Sequence, residues 1–149
     1  MNTIRIQCDD FDIAGEIDAL RRGCSDIGAV VTFTGLVRGD DGVSAMTLEH
    51  YPDMTEREIA RHVEEARIRW SLQGVTIIHR IGKLKPGENI VLVATTSEHR
   101  QAAFEAAEFL MDYLKTRAPF WKLEERRGNA EWVEARGSDE DAAIRWRED

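Results

Sequence analysis

Lys115 and Lys122 stand seven residues apart with Pro119 between them, and Arg100, preceded by His99, lies fifteen residues before the first lysine. Two ammonium groups facing one pocket can hold a phosphate or stabilise an oxyanion. On one continuous helix the lysines would share a face two turns apart. Pro119 argues against that helix, because it clashes with a helical turn and biases Ala118 towards extended backbone. The spacing therefore places Lys115 in a last helical turn and Lys122 on a returning strand. Each lysine has a structural alternative: a helix-end cation favoured by the dipole for Lys115, and a strand-edge charge for Lys122. Neither explains why both flank an A-P-F-W corner.

His99-Arg100 falls at a helix start, where free backbone N–H groups favour anions. Cations there oppose the macrodipole, and a bound anion would offset that conflict; side chains pointing to solvent are the alternative. Arg38 ends an apolar strand beside a Gly-containing loop, and its planar fork suits phosphate or carboxylate, although from position alone a surface charge at a strand end is the better explanation. His79-Arg80, Glu49-His50 and His62 read as structural. The chain has no P-loop, G-x-G-x-x-G, G-x-S-x-G or H-E-x-x-H. No metal and no cofactor are expected, and the cations point to metal-free chemistry on an anionic substrate.

A formal net charge of −8, from 28 acidic and 20 basic residues, argues against general nucleic-acid binding. Cytoplasmic residence is the expectation, since no apolar run approaches the roughly 20 residues of a membrane span and the N-terminus lacks a signal-peptide core. Cys8 and Cys24 are the only cysteines and read as buried free thiols.

The elements that must position these residues follow from periodicity. Ile4, Ile6 and Cys8 alternate as a first strand; Ile13, Ile17 and Leu20 follow at helical spacing, closed by Gly23. Residues 28–37 read as a buried strand and 44–51 as its successor. Ile59, Val63, Ala66 and Trp70 make one apolar helix face, entered by a Thr55/Glu58 capping box and ended by Gly74. Strands follow over 75–81 and 89–96, joined by G-K-L-K-P-G-E. A third helix capped by Ser97 buries Ala103, Ala106, Ala107, Leu110 and Leu114, and residues 121–127 and 130–135 form a hairpin around Gly128-Asn129. The pattern indicates a single α+β domain over 1–149, with mostly antiparallel strands and three main helices. Residues 137–149 read as a tail or a partner-docking helix.

Six motifs occur in order: F-T-G-L-V-R (33–38), L-E-H-Y-P-D-M-T-E (48–56), I-H-R-I-G-K-L-K-P-G-E (78–88), S-E-H-R-Q-A-A-F-E-A (97–106), M-D-Y-L-K-T-R-A-P-F-W-K-L-E (111–124) and W-V-E-A-R (132–136). Together, over residues 28–146, they closely resemble the large, catalytic subunit family of molybdopterin synthase. The resemblance implies an α/β-hammerhead fold. It also implies a sulfurtransferase that makes molybdopterin from cyclic pyranopterin monophosphate by installing the dithiolene sulfurs. The sulfur comes from the C-terminal Gly-Gly thiocarboxylate of a small ubiquitin-like subunit, and the large subunit is a homodimer within a heterotetramer.

By motif, the resemblance makes Lys115 and Lys122 the catalytic lysines. Lys115 is the first choice for stabilising the oxyanion or transferring a proton, and Lys122 positions substrate or tail. Arg38, His99 and Arg100 would hold phosphate and pterin, with Leu36, Val37, Leu123 and Glu124 lining the pocket. Met111 would form a wall, and Arg136 would complete a neighbouring protomer's pocket. The chain departs from the pattern in a short loop over 39–43, in Leu36 where relatives can carry Lys, and in Asp53 where Gly is common. A non-catalytic module that docks a ubiquitin-like tail, and an unrelated phosphate-binding regulator, remain open as alternatives.

Overall fold

Val75 and Ile77 alternate along one short strand with Thr76 and Ile78, and all four are buried. A strand with no polar face must be covered on both sides. In the computed structural model, which describes residues 1–126, 129–133 and 144–146, this strand (β4, Gly74–Arg80) lies inside a four-stranded sheet. Its neighbours are β1 (Asn2–Gln7) and β6 (Asn89–Ser97), with β2 (Ala29–Leu36) at the far edge. The β1–β4 pair is parallel, whereas β4–β6 and β2–β6 are antiparallel. Helix α1 (Ile13–Arg21) packs on β4 and β6. Ile59, Val63 and Ala66 of α2 (Met54–Arg69) bury with Ala107, Leu110 and Leu114 of α3 (Arg100–Thr116) against Val75, Ile77, Val91 and Val93.

A second sheet runs in the order β5 (Gly82–Leu84), β3 (Val43–His50), β7 (Phe120–Arg126), β8 (Asn129–Trp132), all antiparallel. Its buried face carries Met46, Leu48 and Leu84, which cluster with Val37 just beyond β2. That cluster joins the two sheets. The α+β architecture with three helices and mostly antiparallel strands therefore agrees with the sequence reading.

The local differences have physical causes. Helix α3 starts at Arg100, with His99 in extended geometry before it. Ser97 is instead the last residue of β6, paired with Ala29, and its Oγ donates to Ser71 O at 2.7 Å. Helix α2 starts at Met54; Glu56 accepts from the Asp53 N–H at 3.2 Å, and Thr55 is buried rather than capping. Trp70 closes α2, so Gly74 opens β4 instead. Strand β2 is an edge with Thr32 and Phe33 exposed, not a buried strand. Cys8 and Cys24 are both exposed free thiols, Cys8 because β1 ends one residue before it. The hairpin over residues 121–135 is present as β7 and β8, with residues 127, 128 and 134–143 outside the described ones. Of the C-terminal segment, Trp146 packs edge-on against Trp70 and Phe109, and its Nε1 donates to Asp112 at 2.5 Å. No helix among the described residues is long and apolar enough to cross a membrane.

Candidate active site

The corner at Ala118-Pro119-Phe120 is where α3 turns into β7, and three contacts fix it. Thr55, fully buried, donates its Oγ1 to Pro119 O at 3.0 Å and accepts from the Tyr51 N–H at 3.0 Å. The Phe120 ring stacks on His79 with centroids 3.9 Å apart and planes 17° off parallel. Across β3, His50 pairs with Phe120, and its Nε2 lies 3.5 Å from Glu56 Oε1.

Helix α3 ends at Thr116 because Pro119 cannot continue it, which leaves Lys115 exposed in the last turn. Side chains alternate along β7, so Phe120, Lys122 and Glu124 share one face. Lys122 is half-buried opposite Leu48, and Glu124 lies opposite Met46. Since Phe120 lies on His79, this face of β7 looks towards the end of the first sheet. Lys115 arrives at that same end and is near enough to His79 to oppose its protonation.

His79 is buried, with Nδ1 2.8 Å from Arg80 O. Burial holds its pKa down to about 4, and Lys115 and then His50 add smaller repulsions. The ring is therefore neutral near pH 7, and the carbonyl contact assigns the proton to Nδ1. Sequence reasoning treated His79 as structural; its place beside Lys115 depends on strand pairing and stacking that periodicity does not reveal.

Val37 brings the end of β2 to this place. It is buried with Leu48, the cross-strand neighbour of Lys122. Leu36 is exposed, and Arg38 is exposed with Nε 3.5 Å from Asp40. Leu36, Val37, Arg38, Lys115, Lys122 and Glu124 thus gather at one end of the first sheet. Leu123 points to the other face of β7, opposite Thr47 and Trp132. Met111, one turn before Lys115, is half-buried against the main core.

His99 and Arg100 lie elsewhere in the same chain. Thr95 donates to Ala103 O at 2.7 Å, while Leu110 and Leu114 cluster with Val91 and Val93, so α3 runs antiparallel to β6. Fifteen residues of helix separate Arg100 from Lys115, a span of about 22 Å. At that far end Gly28, Glu98, His99, Arg100 and Gln101 line an open depression of roughly 410 Å³. Gly28 is required there, because a Cβ would come within 2.0 Å of Glu98 O. Arg136 lies outside the described residues.

Comparison with known proteins places this geometry among relatives. The family described as MoaE protein matches residues 6–117. The chain is 62% identical over 148 residues to the molybdopterin synthase catalytic subunit of Mesorhizobium japonicum, covering 97% of this chain and 93% of that one. The subunit of the same name from Escherichia coli is 62% identical over 122 residues, covering 80% and 81%. The solved structure of the molybdopterin biosynthesis MoaE protein from Burkholderia ambifaria superposes with a TM-score of 0.84 at 51% identity, covering 98% of both chains.

Proposed function

The chain belongs to the MoaE family, and on that premise we propose that it is a cytoplasmic molybdopterin synthase catalytic subunit, working as one domain over 1–149. Its substrate is cyclic pyranopterin monophosphate. Its sulfur donor is the C-terminal thiocarboxylate of a small ubiquitin-like subunit, whose Gly-Gly tail enters the pocket beside the Pro119 corner. The relatives' names support the reaction class.

The observation that carries the site assignment is the convergence of Lys115, Lys122 and the end of β2 around that corner. The Lys115 ammonium orients the thiocarboxylate as its sulfur bonds to the substrate, and it stabilises the oxyanion formed when water then adds to the acyl carbon. The C–S bond breaks, sulfur stays on the substrate and the tail leaves as a carboxylate. Such preorganised donors are worth roughly 10²–10³ in rate each. Lys122 holds the substrate or the tail, and Arg38 takes the phosphate. Leu36, Val37 and Glu124 line the mouth; Leu123, on the other face of β7, supports the strand.

His99 and Arg100, about 22 Å from Lys115 along α3, serve the pocket of a second copy in a homodimer, and Arg136 completes a neighbour's pocket in the same way. One small subunit at each end makes the heterotetramer. The test mixes the protein with thiocarboxylated small subunit and precursor. Molybdopterin forms with the wild type, and Lys115→Ala nearly stops its formation while leaving fold and subunit association intact. Wild-type turnover in that variant overturns the lysine assignment. Precursor binding without product in the wild type would instead favour a non-catalytic docking module.

A further inference from the structure

Arg80 is a buried arginine with no part in the chemistry above. Side chains alternate along β4, so Arg80 lies on the face opposite His79. Its Nε and Nη2 donate to Cys8 O at 3.1 and 3.0 Å, and its Nη1 donates to Asn89 O at 3.0 Å. Glu88 Oε1 stands 3.5 Å from the same Nη1. One guanidinium therefore ties the chain just beyond β1 to the start of β6 and to the turn before it.

That turn, Lys85-Pro86-Gly87-Glu88, is the platform on which the end of β2 rests. Val37 donates to Glu88 O at 2.9 Å and accepts from the Gly87 N–H at 2.8 Å, so both of its backbone groups are committed to the turn. The turn is braced internally: the Lys85 N–H reaches Glu88 Oε2 at 2.5 Å, and the Glu88 N–H reaches Lys85 O at 3.0 Å. Gly39 lies against Pro86, where a Cβ would sit 3.1 Å from the proline ring. Arg38 is thus held between two residues seated on the turn, while its own side chain is exposed.

We infer that Arg80 is a positioning residue for Arg38, setting the direction from which that arm meets the substrate phosphate. A buried guanidinium carries a desolvation penalty that a well-packed apolar side chain avoids. It retains a use where a rigid planar fork must hold two separate backbone acceptors at a fixed spacing, a geometry that lysine's flexible point charge does not reproduce. The inference rests on the proposal that Arg38 binds the phosphate.

A double-mutant cycle tests it, reading the equilibrium affinity for cyclic pyranopterin monophosphate with thermal unfolding in parallel. Arg80→Lys weakens binding about tenfold when Arg38 is present and less than about twofold in the Arg38→Ala background. Turnover at saturating precursor changes little, because Lys115 and Lys122 are untouched. Should Arg80→Lys fail to fold, Gly39→Ala takes its place. Its backbone, at φ −99, accepts alanine, and the added methyl presses on the Pro86 ring and displaces the segment after Arg38 by a few tenths of an ångström. Equal weakening in both backgrounds overturns the inference and leaves Arg38 as a ligand. Unchanged affinity in Arg38→Ala alone overturns the phosphate assignment, and the positioning role with it.

Discussion

The imidazole of His79 and the ring of Phe120 stack at 3.9 Å, and through that contact a buried residue of β4 fixes the corner that carries both lysines. A neutral ring suits this position: a second cation beside Lys115 would be repelled, and the His79 ring is itself buried. The stack makes the corner part of the core rather than a loop hung from it.

Acid should therefore loosen the fold through His79. Its pKa is about 4 in the folded chain against 6.5 for the free side chain. Between those values the unfolded chain holds the extra proton, so stability is full above about pH 6.5 and falls as pH drops towards 4. The loss is on the order of 3 kcal/mol. His62, whose pKa burial also lowers, adds in the same direction. His79→Phe keeps an aromatic stack and removes the titration, so urea unfolding across this range should show a shallower slope by nearly one proton. An unchanged slope would show that His79 is not the group responsible.

The division of cations between the two ends of α3 predicts complementation. Lys115→Ala and Arg100→Ala homodimers should each be nearly inactive. After subunit exchange, mixed dimers contain one pocket with both defects and one with neither, and half of the wild-type activity per mixed dimer should return. Mixtures that stay as inactive as their parents would place both residues in the same pocket.

Thr55 bridges the entry to α2 and the exit from α3. Thr55→Val preserves its volume but strands the Tyr51 N–H and the Pro119 carbonyl. Stability should fall by about 2 kcal/mol, a melting shift of roughly 4–8 °C at this chain length. Sulfur transfer should fall beyond what the lost stability explains, because the lysine corner is released. Calorimetry with single-turnover assays below the transition separates the two effects.

Asp53 is the only non-glycine residue at positive φ among the described residues, at φ 69 and ψ −45. The Met54 N–H reaches Pro52 O at 2.9 Å, closing a γ-turn of the strained hand. Asp53→Gly should relieve that strain and raise stability by about 1 kcal/mol, after allowing for the freer unfolded chain. Urea denaturation midpoints give the sign directly.

Much of this was legible from residues alone. Ile59, Val63 and Ala66 declared the buried face of α2, and Pro119 placed Lys115 at a helix end with Lys122 on the returning strand. Strand β5 escaped notice because three residues, G-K-L, are too few to show a period. Ser97 looked like a helix cap, but pairing with Ala29 claimed it for β6. The facing of Leu123, the stack on His79 and the clamp made by Arg80 all depend on which strands meet, and local spacing does not encode that. The distance between Arg100 and Lys115 is implicit in the helix, whereas their shared charge says only that the substrate is anionic.

Helix α3 is consequently a ruler. Its 17 residues set the interval between the His99-Arg100 end and the Pro119 corner. Removing one residue would shorten it by about 1.5 Å and rotate everything beyond by about 100°. The buried stripe of Ala103, Ala106 and Leu110 would then no longer face the sheet while Lys115 faced its pocket. Substitutions on the exposed side of α3 leave that interval intact, whereas a single insertion or deletion anywhere along it puts its two ends out of register at once.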